Sequence, residues 1–126
     1  MEIKVGEYVR TKNGLIGKVN KIELKGSGTR FAGEYLTDTI IQFNDGKVYE
    51  RRVKDNYIVK HSKNIIDLIE LGDIVFIEDF FGYNFIHVFD ESMLEALKKD
   101  VKDGIKIKTI LTHEQYERNC YRLEDN

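Results

Sequence analysis

Apolar positions along the chain recur mostly with a period of two, in short runs broken by Gly, Asn and Asp. This is the pattern of half-buried strands joined by tight turns. Tyr8 to Thr11 read as a first strand, and Asn13-Gly14 as a type I′ hairpin turn whose central residues need positive φ. Leu15, Ile16, Val19, Ile22 and Leu24 carry the second strand, with Gly17 marking a bulge or a close approach. After the glycine-containing loop 26–35, "TDTIIQFN" and "KVYERRV" form another hairpin around Asp45-Gly46. A strand through Ile58 and Val59 follows, with Ser62 predicted to cap a helical turn at Ile65, Ile66 and Ile69.

The pattern then starts again. "LGDIVFIED", 71–79, repeats "VGEYVRTKN", 5–13, as apolar, glycine, acid, apolar, Val, and "FFGYNFIHVFD" supplies a strand pair around Gly82. The spacing of Leu94, Leu97 and Val101 predicts a helix over 91–101, with Ser92 and Glu95 as its capping box. "IKIKTILT" alternates as a strand, Thr112 and Gln115 cap the short helix "HEQYERN", and "CYRL" reads as a last strand. Each half thus runs from a glycine-acid opener to a Ser/Thr-capped helical turn. The expected fold is mainly β (β-rich α+β): two tandem SH3-like small barrels with short capped helices. The first spans 1–70, and the second, 71–126, carries the helix near 91–101 and packs on the first. The alternative is one larger α+β domain in which the sheets merge.

Composition narrows the function classes. At 126 residues, with 41% hydrophobic and 33% charged residues, the chain is globular rather than disordered. Its apolar runs fall well short of the roughly 20 residues of a membrane helix, and "MEIKVGEYVR" lacks a signal-peptide core, which points to a cytoplasmic protein. The net charge of −2 conceals an asymmetry: residues 1–63 hold 13 Lys and Arg against 8 Asp and Glu, a net of +5, and residues 64–126 hold 7 against 14, a net of −7. Attraction between the halves, or between copies of the chain, is the plain reading of this asymmetry. A basic half is also the footprint of a polyanion site. Lys12, Lys18, Lys21, Arg51 and Arg52 are the candidate nucleic-acid contacts, although acids interrupt them.

Catalytic and metal signatures are weak. His61, His87 and His113 have no second His or Cys at ligand spacing, and Cys120 reads as a small hydrophobe rather than a nucleophile. There is no GxSxG elbow, and "GSG" at 26–28 has no following GK[ST]. The expectation is therefore no enzyme, no metal and no cofactor. "DFFGYNFIHVF", 79–89, is the most aromatic stretch. If Phe80 and Phe81 both lie on a strand they point to opposite faces, one exposed or under the helix. Arg30, Phe31, Tyr35, Phe80, Phe81 and Tyr83 are the candidate partner-binding residues, through which the chain could also self-associate into a homo-oligomer.

Two resemblances add to this reading. "GEYVRTKNGLIGKVNKIE" resembles the KOW-type, SH3-like modules of ribosomal and transcription-elongation proteins, which implies a curled barrel with loops touching RNA or protein. "IKVGEYVRTKNGLIGKV", "IVKHSKNIIDLIELGDIV" and "IKTILTHEQYERNCYRLE" resemble small uncharacterised phage and prophage proteins of low-GC Gram-positive bacteria. That resemblance implies an accessory protein in the bacterial host cell that binds a host protein, with an anti-defence (anti-CRISPR-like) inhibitor as its most concrete form. The alternatives are a nucleic-acid-binding module and a sponge for a signalling nucleotide.

Overall fold

The computed structural model describes residues 2–24 and 37–119. It is mostly β, and the chain divides into two compact units, Met1–Leu68 and Ile69–Asn126. The division falls two residues before the expected end of the first unit. In the first unit, β1 (Tyr8–Thr11), β2 (Ile16–Leu24), β3 (Thr37–Asn44), β4 (Val48–Lys54) and β5 (Ile58–Ser62) form one antiparallel sheet in the order β4-β3-β2-β1-β5. In the second, β6 (Ile74–Asp79), β7 (Gly82–His87) and β8 (Lys106–Leu111) form a sheet in the order β7-β6-β8. The helices α1 (Glu91–Lys102) and α2 (His113–Asn119) flank β8 in sequence. Two separate sheets replace the merged alternative, and among the described residues their strand orders are open rather than closed barrels.

The repeated opener is a repeated structure. Lys4 to Glu7 and Glu70 to Asp73 each turn with a backbone bond from the fourth residue to the first, Glu7 N–H to Lys4 O at 3.2 Å and Asp73 N–H to Glu70 O at 3.1 Å. The third residue is glycine at φ +92° in one and +98° in the other, which a type II turn demands and side chains resist. The acid then closes each turn a second time: Lys4 N–H donates to Glu7 Oε1 at 2.7 Å, and Glu70 N–H to Asp73 Oδ2 at 2.8 Å. Each turn also docks on the chain that returns from its hairpin. Gly6 N–H reaches Val19 O at 2.9 Å and Val19 N–H reaches Glu7 O at 2.8 Å; Gly72 and Val88, then Val88 and Asp73, repeat these bonds at 2.7 and 2.9 Å. Both acids are buried.

From the turn, β1 pairs with β2 on one side and β5 on the other, as β6 pairs with β7 and β8. What differs is the insertion before the closing strand: the β3–β4 hairpin in the first unit, α1 in the second. The core of the first unit gathers Val9, Val19, Ile41, Phe43 and Ile58, inward positions of the alternating strands, together with Ile3 from the segment before β1. Val75 and Ile77 of β6, with Leu94 and Leu97 of α1, are buried in the second.

Three local expectations change. The β1–β2 connection is not a two-residue I′ turn. Thr11 and Leu15 bracket a three-residue loop, closed by Gly14 N–H to Thr11 O at 3.0 Å and Thr11 N–H to Leu15 O at 2.9 Å, with Gly14 at φ +83°. α1 starts at Glu91 as expected, but Asp90, not Ser92, is its N-cap, its carboxylate accepting from Met93 N–H at 2.9 Å. A charged cap also favours the positive end of the helix. The helical turn after Ser62 is a 3-10 segment, Ile65–Leu68, and Ser62 Oγ accepts from Asn64 N–H while donating to Asp67. By contrast, Thr112 and Gln115 form the expected reciprocal cap of α2. The expected strand "CYRL" lies outside the described residues.

Gly17 pairs with Val9 on β1 and Phe43 on β3, and a methyl group there would overlap the Ile41 side chain and lie 2.8 Å from Gln42 O and 2.9 Å from Phe43 Cδ1. Gly17→Ala is expected to cost about 2 kcal/mol in urea unfolding, because two of these neighbours are core side chains and the third is backbone.

The Lys4 N–H bond, aided by His61 and opposed by burial, holds the Glu7 carboxyl below the ordinary glutamate range. A depressed carboxyl stabilises the fold fully above its unfolded value, and that stability is lost as pH falls through the lower native value. Unfolding free energy measured from about pH 6 down to about pH 3 should therefore fall less steeply in Glu7→Gln than in the wild type, although Glu7→Gln starts lower.

Candidate functional site

The β6–β7 hairpin sets out exposed aromatic side chains that none of the described residues covers. Asp79 pairs with Gly82, so Phe80 and Phe81 are the two residues of the turn, and Asp79 Oδ1 accepts from Phe81 N–H at 2.8 Å. Neither phenylalanine is on a strand, which removes the expectation that they point to opposite faces with one of them tucked under the helix. Both project fully into solvent, with relative exposures of 102% and 99%. An Asx-type bond from Asp79 fixes the turn backbone, so the rings are presented by a defined support rather than by a loose loop.

The register extends this surface along one face of the sheet. Val75 and Ile77 point to the buried side, so Phe76 and Glu78 point to the other, opposite Phe85 and Tyr83. Tyr83 and Phe85 are exposed, and the Phe76 and Phe85 rings pack with centroids 6.3 Å apart. Phe89, also exposed, lies against His87 at a centroid distance of 4.0 Å. The result is a run of aromatic rings from the hairpin tip along β7, an edge strand of its sheet. Polar relief comes from Lys108 and Glu78, whose charged ends lie 3.6 Å apart. Exposed contiguous apolar surface of this kind marks interaction sites in soluble proteins.

Of the six candidate partner-binding residues, Phe80, Phe81 and Tyr83 therefore sit together. Arg30, Phe31 and Tyr35 lie outside the described residues. Phe76, Phe85 and Phe89 join them without being among the six candidates, Phe85 lying in the aromatic stretch singled out from the sequence. The signal for them was present: strict alternation from Val75 puts Phe76 outward, and the cross-strand register does the same for Phe85.

The five basic candidates do not make one face. Arg51 and Arg52 are adjacent on β4 and point to opposite sides of the sheet. Arg52 is 3.1 Å from Glu23 and 3.5 Å from Asp38, and Lys21 is 3.0 Å from the same Glu23, whose carboxyl is lowered chiefly by Lys21. Lys18 lies over the Tyr8 ring at 5.7 Å, and Arg51 over Tyr49 at 5.4 Å. Lys12 is in the β1–β2 turn, its N–H bonded to Tyr57 O at 2.9 Å. Carboxylates already occupy two of the five charges.

One cluster joins residues far apart in sequence. Glu70, His113 and Glu114 place a ligand atom each within 4.8 Å of one another. His113 Nε2 lies 3.1 Å from Glu70 Oε1 and 3.4 Å from Glu114 Oε1, and buried Asp73 accepts from both Glu70 N–H and His113 N–H. Hydrogen bonding of one imidazole between two carboxylates accounts for this group, and it ties the opener of the second unit to α2. In the first unit, His61 Nδ1 at 3.1 Å from Glu7 Oε1 ties the opener to β5.

No protein-family model, curated protein or solved structure matches the chain.

Side chains with full solvent exposure contribute little to folding. Phe80→Ser combined with Phe81→Ser should leave the unfolding free energy within about 0.5 kcal/mol of wild type, while shortening retention on a hydrophobic-interaction column.

Proposed function

We propose that the protein is a non-catalytic binding protein that inhibits or modulates a host factor by protein–protein contact, with the aromatic hairpin of the second unit as its contact surface. The observation that carries this reading is the full exposure of Phe80 and Phe81 on a turn held by Asp79. Rings carried on a turn whose backbone is already held lose less entropy on docking than rings on a loose loop, and aromatic anchors commonly dominate interface energies. Tyr83 adds a ring with a polar end suited to the edge of such a contact. The resemblance of three segments to phage and prophage proteins supports a bacterial host and makes anti-defence inhibition the most concrete form of the activity.

Expression of the protein in bacteria carrying single, defined defence systems tests it, with phage plating as the readout. The wild type should restore plating at least tenfold against one system, and the Phe80→Ser, Phe81→Ser variant, expressed to the same level, should not. Unchanged plating across the panel contradicts the anti-defence form. Equal activity of variant and wild type removes the hairpin as the contact surface.

A further inference from the structure

An antiparallel sheet with one face in water sets polar side chains outward. The first unit does so: its β3–β4 hairpin turns Gln42, Asn44, Glu50, Arg52 and Lys54 to the side away from buried Ile41 and Phe43. The second unit does not. Opposite buried Val75 and Ile77, its outward positions hold Phe76, Tyr83, Phe85 and His87, and Phe89 continues the line by packing on His87. Thr109 and Leu111 of β8 lie on the same side, paired with Phe76 and Ile74. Phe76, Tyr83, Phe85 and Phe89 are 40%, 82%, 62% and 67% exposed, so none of the described residues forms a second layer over them.

Charge, symmetry and area select what covers this face. Residues 69–126 hold 13 Asp and Glu against 7 Lys and Arg, a net of −6, yet the face itself is balanced. Glu78, the acid among its outward positions, has Lys108 at 3.6 Å and Lys106 opposite it on β8. Two acidic units can therefore meet here without opposing like charges, whereas a cationic partner finds its counter-charge already taken. The face is also self-complementary. A two-fold axis lying across the strands at the Phe76–Phe85 pair sets each of these rings against its own copy, and Tyr83 against the partner's His87, as an isologous contact requires. At about 200 Å² per aromatic residue, the exposed parts of the four rings amount to roughly 500 Å² per copy. A standard interface takes about 800 Å² from each side, and Ile74, His87 and Leu111 add to the rings. The edge of β7 is less suited to pairing. Val88 N–H bonds Asp73 O, so alternation turns Phe85 N–H to the open edge, where Asn84 Oδ1 accepts it at 2.8 Å.

We infer that this face is the interface of a homodimer, in which the sheets of two second units pack face to face around Phe76 and Phe85. Each copy thereby supplies the apolar layer that the other lacks. Phe80 belongs to the turn and not to the alternating face, so it stays outside the contact. The dimer and the host contact proposed for the hairpin tip are separate, and either can fail without the other.

Sedimentation of the full chain between about 1 and about 200 µM tests the assignment. The mass should rise from one chain toward two and stop there. Phe85→Lys should weaken the dimer at least tenfold, as loss of a central aromatic anchor does. This change makes the unit less acidic, so a general rise in repulsion between units cannot account for the loss. Phe80→Ser should leave the dimer constant within about twofold. Amide spectra report the folding of the variants, and Tyr83→Lys, placed opposite Glu78, replaces Phe85→Lys if the latter is misfolded. A single chain at every concentration, the result if only a host protein covers this face, overturns the inference. So do growth beyond two chains, a dimer that Phe85→Lys or its replacement leaves intact, and a dimer lost equally in Phe80→Ser. Phage plating does not enter this readout, so failure of the anti-defence reading is scored apart from it.

Discussion

A buried carboxylate under a glycine turn is the constraint on which both units depend. Glu7 and Asp73 each accept a backbone N–H from the start of their own turn, and each reaches the element that closes the unit, His61 on β5 or the first residue of α2. Burying a carboxylate is unfavourable unless its oxygens are satisfied, so this arrangement holds only when the turn, the returning chain and the closing element are all in place. One residue thus couples three segments, its side chain reaching the turn and the closing element and its backbone carbonyl the returning chain. That coupling gives short strands and small cores a cooperative centre they would otherwise lack.

The same constraint explains where the units are free to differ. With the opener, its hairpin partner and the closing strand fixed, the chain between hairpin and closure can be a β3–β4 hairpin or the helix α1. The most exposed aromatic area lies at a hairpin tip, Phe80 and Phe81 at the β6–β7 turn. Neither ring contributes to the buried cores. Folding does not account for aromatic area at such a position, because it is not removed from water.

Much of this was legible in the residues. The pairing of "VGEYV" with "LGDIV" exposes the repeated turn, since apolar-Gly-acid is a pattern with a mechanism: positive φ for the glycine and an acceptor for the turn. Strand alternation located the eight strands of the described residues, with one strand too many before Gly82, and Thr112 with Gln115 announced the start of α2. Failures came where two local signals competed or where contact was non-local. "DFFG" was read as strand because its rings dominate, whereas Asp79 and Gly82 mark a turn. In "FDES", both Asp90 and Ser92 are good caps, and the charged one wins. No spacing rule brings Glu70 to His113, because sheet pairing and not sequence distance places them. The split of the basic residues between faces follows from simple alternation at Arg51-Arg52, a signal that a count of charges conceals.

The central claim is that the buried acid holds each unit together, and Asp73, completely buried and accepting from two backbone N–H groups, gives the cleanest test. The decisive measurement is the urea unfolding free energy of Asp73→Ala. Two backbone donors, Glu70 N–H and His113 N–H, lose their acceptor, and the predicted loss is about 3 kcal/mol, at unchanged cooperativity. A loss below about 1 kcal/mol, the scale of an ordinary surface substitution or a single neutral hydrogen bond, would contradict the account.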